Sequence, residues 1–355
     1  MTPIGSMPCS LGRFAAAAAA AALTVAGLLL PAAASAQQTV TLKFHTFMAP
    51  QSAVWLDMHE GWMKKVEAES QGRIKFERYP AMQLGGTPGQ LYDQVRDGVA
   101  DVTWTLPGTT AGRFPRVEVF ELPFVMSNAE ATSRAYWEYV QTHAKDEFKD
   151  VHLIAVNVHG PGLFHSASKP INSMADLKGM KVRGPTRQVT KLLATLGATP
   201  VGMPLPGIPD ALSKGVIDAA VIPWEVVPSV KVNELAKFHS EFDPKQPALY
   251  TTTFVMTMNK AKYDSLPPDL KKVIDSNSGI ETSAWLGRTQ EANDPKGRAT
   301  VPASTIHRFT EADYQQFKKA SSEVDQAWIK EMDGKGFKGK ELLDGARALI
   351  VKHTK

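Results

Sequence analysis

Residues 176–224 read DLKGMKVRGPTRQVTKLLATLGATPVGMPLPGIPDALSKGVIDAAVIPW, and the fold follows from this stretch. A short run that alternates apolar and polar residues ends at Arg183, just before a Gly184-Pro185 turn. An apparent helix, an LGATPV strand and a GVIDAAVIP strand follow. That alternation predicts an α/β domain and puts a fixed positive charge beside a crevice. A guanidinium there suits a carboxylate, because its planar fork donates two parallel hydrogen bonds.

Upstream, TVTLKFHTFMAP (39–50) alternates as a first strand, RIKFERYP (73–80) as a second and DVTWTLPG (101–108) as a third. Between them, 52–72 has helical spacing with Ser52 as N-cap and Gly72 as its end, and 86–100 reads as a short helix. This β-α-β-α-β order predicts a parallel sheet covered by helices. A helix is expected from about Ala129 to Phe148. HLIAVNVHGPGLFHSA (152–167) reads as a long strand pair interrupted by Gly160-Pro161-Gly162. That break is either a crossover between domains or a simple turn or bulge. LYTTTFVMTMN (249–259) is an apolar, β-branched strand, and 266–294 is helical with a break near Ser278-Gly279. Two further helices are expected, from about Glu311 to Met332 and from Lys340 to His353.

The 355 residues suffice for two domains, and the 43% apolar content lets each bury a core. Charged residues make up 21% with no long run of one sign, which argues against a disordered or nucleic-acid-binding chain. The net charge of +4 is spread along the chain and reads as an ordinary solvated surface. Arg13 is the only charge in the first 36 residues; an apolar run from Phe14 to Leu30 and a small-residue site, Ala34-Ser35-Ala36, follow it. This is the pattern of a cleavable signal peptide over 1–36. The single cysteine, Cys9, lies ahead of the apolar run, so the mature chain from Gln37 has none. Disulfides, thiol catalysis and cysteine metal sites are thereby excluded.

Seven blocks, in order, carry a family resemblance: RYPAMQLGG, QLYDQVRDGVADVTW, GRFPRVEVFELPF, KPINSMADLKGMKVRGP, LGATPVGMP, DALSKGVIDAAVIPWE and LPPDLKKVID. The mature chain resembles the solute-binding proteins of TRAP (tripartite ATP-independent periplasmic) transporters, the DctP-like family. The resemblance implies a two-lobe, periplasmic-binding-protein-like α/β fold, each lobe a sheet flanked by helices. Crossing strands and a long helix join the lobes. Lobe I comprises 37–158 plus 251–290, and lobe II comprises 159–250 plus 291–355. It also implies a ligand in the cleft between lobes that close like a hinge. The implied protein is a periplasmic monomer without cofactor or nucleic-acid partner. It binds a small organic carboxylate and delivers it to the TRAP membrane permease subunits. In that family an arginine in a GxKxR strand clamps the carboxylate, and Arg183 in KGMKVRGP falls on that position.

Trp224, Trp104 and Phe47 stand at strand ends, where each either stacks on a planar ligand or packs as core. With Arg183 they favour a ligand that is part carboxylate and part apolar or planar. Thr186 follows the turn, where it either reaches the ligand or caps the next helix. His159 and His165 flank GPGLF and either donate hydrogen bonds to a second polar group or are buried structural residues. Their spacing matches no common zinc motif. The chain departs from the sialic-acid-binding branch by carrying Leu163 where that branch has a second arginine, and Ile222 where it has an amide. A multiply hydroxylated sugar acid is therefore disfavoured. Glu225 is the one candidate carboxylate for a bridging cation and has no obvious partner ligand. Asp101 and Asp218 fit capping roles better than catalytic ones, and no nucleophile elbow, phosphate loop or His-Glu-x-x-His motif is present. No enzyme is expected; a ligand sensor for a membrane signalling partner is the alternative receptor reading.

Overall fold

Two β-sheets organise the chain in a computed structural model that describes residues 38–354, together with residues 1, 3 and 5. The signal-peptide reading, with Arg13 and Cys9, lies outside the described residues. The strands are β1 (Val40–Thr46), β2 (Ile74–Tyr79), β3 (Val102–Thr105), β4 (Val151–Val158), β5 (Leu163–Ser166), β6 (Lys181–Gly184), β7 (Thr199–Gly202), β8 (Ala219–Ile222), β9 (Phe238–Glu241), β10 (Thr253–Asn259) and β11 (Ile306–Arg308).

The first sheet has the order β2-β1-β3-β10-β4 and the second β11-β9-β5-β8-β6-β7. In the first, β1 is parallel to both β2 and β3, as the β-α-β-α-β reading predicts. The late strand β10 then inserts antiparallel between β3 and β4. In the second, β6 is parallel to β7 and β8, and β5 is antiparallel to β8 and β9.

Helix starts and stops follow local chemistry. Ser52 Oγ accepts the backbone N–H of Trp55 at 3.1 Å and so caps the helical stretch through Glu69. Gly72 closes it with φ 75°. Gly279, at φ 91°, separates the helices Pro268–Ser276 and Ile280–Glu291, the break expected near Ser278-Gly279.

The Gly160-Pro161-Gly162 interruption is a crossover, since β4 lies in the first sheet and β5 in the second. A Cβ on Gly162 would lie 2.1 Å from the Tyr250 ring, so the outgoing segment passes directly under the segment that returns to β10. The helix Ile280–Glu291 makes a third link. It packs on the helix Ala129–Tyr139 and on β4, and it leads to Gly297, whose backbone abuts the Trp224 carbonyl beyond β8. The long helix Glu311–Gly334 packs on Arg187–Thr195 beside the second sheet, whereas the last helix, Gly339–Thr354, packs on Ala129–Tyr139. Lys352 and His353 both reach Glu138 there, at 2.7 and 2.9 Å. Among the described residues no helix is long and apolar enough to cross a membrane.

Candidate ligand-binding site

The parallel strands β1, β3, β6 and β8 end at one cavity, the place where open α/β sheets bind ligands. Its space measures about 530 Å³, part of it open to solvent. Phe47, Trp104 and Phe254 come from the first sheet. Arg183, Ile222 and Glu225 come from the second, and His159, Tyr250 and Gln290 from the linking segments.

Arg183 ends β6 and is 3% exposed. Its Nε donates to the Met203 carbonyl at 2.9 Å and its Nη1 to the Val221 carbonyl at 3.2 Å. Both acceptors belong to the backbone beside neighbouring strands, so the fork is aimed by the sheet itself. A guanidinium has five N–H donors, and three have no partner among the described residues. No carboxylate pairs with it among the described residues. Burial lowers its pKa to about 10, the response of a cation removed from water without a counter-ion.

The opposite wall is aromatic. Trp104 stacks on Phe254 with centroids 4.1 Å apart and planes 9° apart, and on Phe47 at 5.5 Å and 20°. Its indole N–H donates to Asn157 Oδ1 at 3.0 Å. Asn157 Nδ2 donates to Gln290 Oε1 at 2.9 Å, and Gln290 Nε2 donates to Glu225 Oε1 at 2.8 Å. A relay thus runs from the first sheet, through the linking helix, to the turn after β8.

The structure brings Arg183, Trp104, Phe47, His159 and Glu225 together around the cavity and puts Trp224, His165 and Thr186 outside its lining. Trp224 packs edge-on against His165 with centroids 4.8 Å apart, and its N–H donates to Glu241 at 3.3 Å. His165 is fully buried and pairs through Nδ1 with His239 Nδ1 at 2.8 Å; burial lowers its pKa to about 3. Thr186 stands outside the cavity lining and at the N-cap position of the helix Arg187–Thr195, but its side chain makes no capping hydrogen bond. Its hydroxyl donates to Glu121 Oε2 at 2.6 Å, joining the second sheet's helix to the segment Val117–Glu121. His159 binds the Gly160 carbonyl through Nδ1, and burial lowers its pKa to about 4, so it is neutral at physiological pH. Leu163 lies away from the cavity, whereas Ile222 lines it.

Sequence reasoning missed several lining residues, Tyr250, Phe254 and Gln290 among them. Tyr250 is 1% exposed, and the Arg183 charge opposes the burial that raises its pKa. Phe254 and Gln290 stand beside Trp104 and Glu225 respectively. The signal for Tyr250 and Phe254 was their place in LYTTTF, the first part of the strand block 249–259, where a returning strand enters the cleft.

Residues 44–331 match the family described as DctP, bacterial extracellular solute-binding protein, family 7. The chain belongs to that family. The chain is 65% identical to a TRAP solute-binding protein of Rhodoferax ferrireducens solved with copurified benzoate. That match covers 89% of this chain and 99% of that one, with a TM-score of 0.88. It is 47% identical to a marine metagenome TRAP protein specific for aromatic acids and solved with 3-hydroxybenzoate, covering 90% and 100% at a TM-score of 0.87. A Bordetella bronchiseptica TRAP protein bearing (R)- and (S)-mandelate is 26% identical over 88% and 99%, at a TM-score of 0.79.

As a TRAP solute-binding protein, the chain has the two-lobe fold expected of it, and family and neighbours are receptors rather than enzymes. Among the described residues no group of three or more His, Cys, Asp or Glu is placed to hold a metal ion. Burial pushes the Glu225 carboxyl well above the usual range, which leaves it a poor cation ligand.

Proposed function

We propose that this DctP-family protein is the periplasmic receptor of a TRAP transporter and captures an aromatic monocarboxylate between Arg183 and the Phe47–Trp104–Phe254 wall. The observation that carries the reading is a buried guanidinium with three spare donors and no counter-ion among the described residues, facing an apolar, aromatic cavity. One carboxylate completes the ion pair, and a flat ring suits the remaining wall. The benzoate and 3-hydroxybenzoate held by proteins 65% and 47% identical support the same class. After removal of a signal peptide over 1–36, the monomer closes by bending where the chain crosses between lobes. The lobes are 37–158 plus 251–290 and 159–250 plus 291–355, with the last helix riding on the first. The closed form hands the acid to the membrane permease.

Isothermal titration of the protein, unfolded and refolded to strip any copurified ligand, tests this. Benzoate, 3-hydroxybenzoate and mandelate are compared with succinate, pyruvate and uncharged benzamide. Tight binding of at least one aromatic acid, with no binding of benzamide, is expected. Tight binding of succinate or pyruvate with none of the aromatic acids would overturn it.

A further inference from the structure

The relay described above ends on a carboxyl group that the cavity's recognition of a carboxylate does not use. Glu225 is 4% exposed and forms part of the cavity wall. Its Oε1 is taken by Gln290, and its Oε2 is buried with no hydrogen-bond partner among the described residues. We infer that Glu225 is a ligand-binding residue that donates its Oε2–H to a second oxygen on the ring of the acid held by Arg183. The inference rests on reading the cavity as an aromatic-acid site, and adds to it a preference for a ring bearing a hydroxyl or oxo group.

The direction of the relay fixes where the proton sits. An indole nitrogen can only donate, so Asn157 must turn its oxygen to Trp104 and its amide nitrogen to Gln290. Gln290 must then turn its own nitrogen to Glu225 Oε1. Oε1 is therefore an acceptor, and a protonated Glu225 carries its hydrogen on Oε2.

The surroundings keep it protonated. Asp294 Oδ1 accepts the Glu225 backbone N–H at 2.9 Å, and burial raises the Asp294 pKa to about 8. Burial pushes Glu225 upward, and the hydrogen bond from the neutral Gln290 amide offsets it only in part. Across the cavity stand Arg183, the neutral His159 and Tyr250. Arg183, Tyr250 and Glu225 all line this one cavity. An ionised Glu225 would repel the ligand carboxylate, whereas a neutral one offers a directed donor in a cavity that is otherwise mainly apolar.

The test compares benzoate with 2-, 3- and 4-hydroxybenzoate by titration on the wild-type protein, Glu225→Gln and Glu225→Met. The wild type should bind one hydroxy isomer at least tenfold more tightly than benzoate. Glu225→Gln, which accepts from Gln290 and donates through its amide, should keep that preference within about threefold. In Glu225→Met the ratio of the benzoate Kd to the Kd of the preferred hydroxy isomer should fall below about twofold. A preference that survives in Glu225→Met, or no isomer preference in the wild type, would overturn the inference. So would a tenfold or greater tightening of every acid in Glu225→Gln, because that result means an ionised Glu225. If Glu225→Met fails to fold, Glu225→Gln still decides through that last result. Absence of benzoate binding by the wild type would refute the aromatic-acid reading itself and is thereby distinguished from a failure confined to Glu225.

Discussion

Replacing Arg183 by methionine should separate binding from stability. The guanidinium has three spare donors, enough for a two-bonded clamp on a carboxylate. Charge-assisted hydrogen bonds contribute about 1.5–3 kcal/mol each, so losing two costs about 3–6 kcal/mol. At 1.4 kcal/mol per tenfold, Kd for benzoate should rise by roughly two to four orders of magnitude. The ligand-free protein responds differently. Removing an unpaired buried cation relieves a desolvation cost, while the Met203 and Val221 carbonyls lose their donors at about 1–3 kcal/mol each. These effects oppose, so the ligand-free melting temperature should move by only a few degrees. At a ligand concentration of 100 Kd the wild type gains about 2.7 kcal/mol, an increase in Tm of roughly 5 °C for a chain of this size. The variant should show no increase at the same concentration. Arg183→Lys keeps the charge but not the fork and should recover only part of the affinity. Differential scanning fluorimetry and titration calorimetry with benzoate report both quantities. A benzoate Kd within tenfold of wild type in Arg183→Met would refute the carboxylate clamp.

Glu121 is buried with its carboxyl bonded to Thr186 and Thr253, and burial raises its pKa from 4.5 to about 7. A raised carboxyl pKa contributes stability below about pH 4.5 that is lost as pH rises through 7. Glu121→Gln should therefore gain in Tm relative to wild type between pH 5 and 7.5; a constant difference across that range would contradict the assignment. The buried His59, His159, His165 and His239, with pKa values lowered to about 3 or 4, act the opposite way. Their contribution is lost as pH falls from 6.5, so acid melts should show a steep loss of Tm below pH 6. A Cβ on Gly297 would lie 1.9 Å from the Trp224 carbonyl oxygen. Gly297→Ala should cost about 2–3 kcal/mol in a urea melt, and a loss below half of that would mean the turn yields freely. Trp104→Leu removes the centre of the aromatic stack and the first donor of the relay. It should destabilise by about 3 kcal/mol and weaken benzoate binding, and unchanged binding would show that the ring lies elsewhere.

Periodicity shows itself where burial is apolar. β10 and the helix pair around Gly279 were legible because Val255, Met256 and Met258 are core residues and Gly279 occupies a backbone region that favours glycine. β9 was not, because FHSE looks like a loop. Yet His239, Ser240 and Glu241 are all buried, each with a distant partner: His165, the Ile171 carbonyl, and Arg298 with Arg308. Arg183 was legible as a charge set at a strand end before a Gly-Pro turn. Trp224 has an equally good address at a strand end, but its ring is taken by His165 and Glu241, partners assembled only by folding. The same holds for Thr186, whose hydroxyl finds Glu121 from 65 residues away. The direction of the relay to Glu225 is likewise invisible in one dimension, since its members lie on β3, β4, the linking helix and the turn after β8.

The three links between the sheets have a mechanical consequence. Two bodies tied by one strand can twist, slide and separate. Here the outgoing segment at Gly160–Gly162, the returning segment at Tyr250–Thr253 and the helix Ile280–Glu291 run together, with Gly162 wedged under the Tyr250 ring. Such a strap resists torsion and shear and leaves bending as the soft motion. Under the function proposed above, a membrane partner would be offered a gap that widens or narrows along a single coordinate.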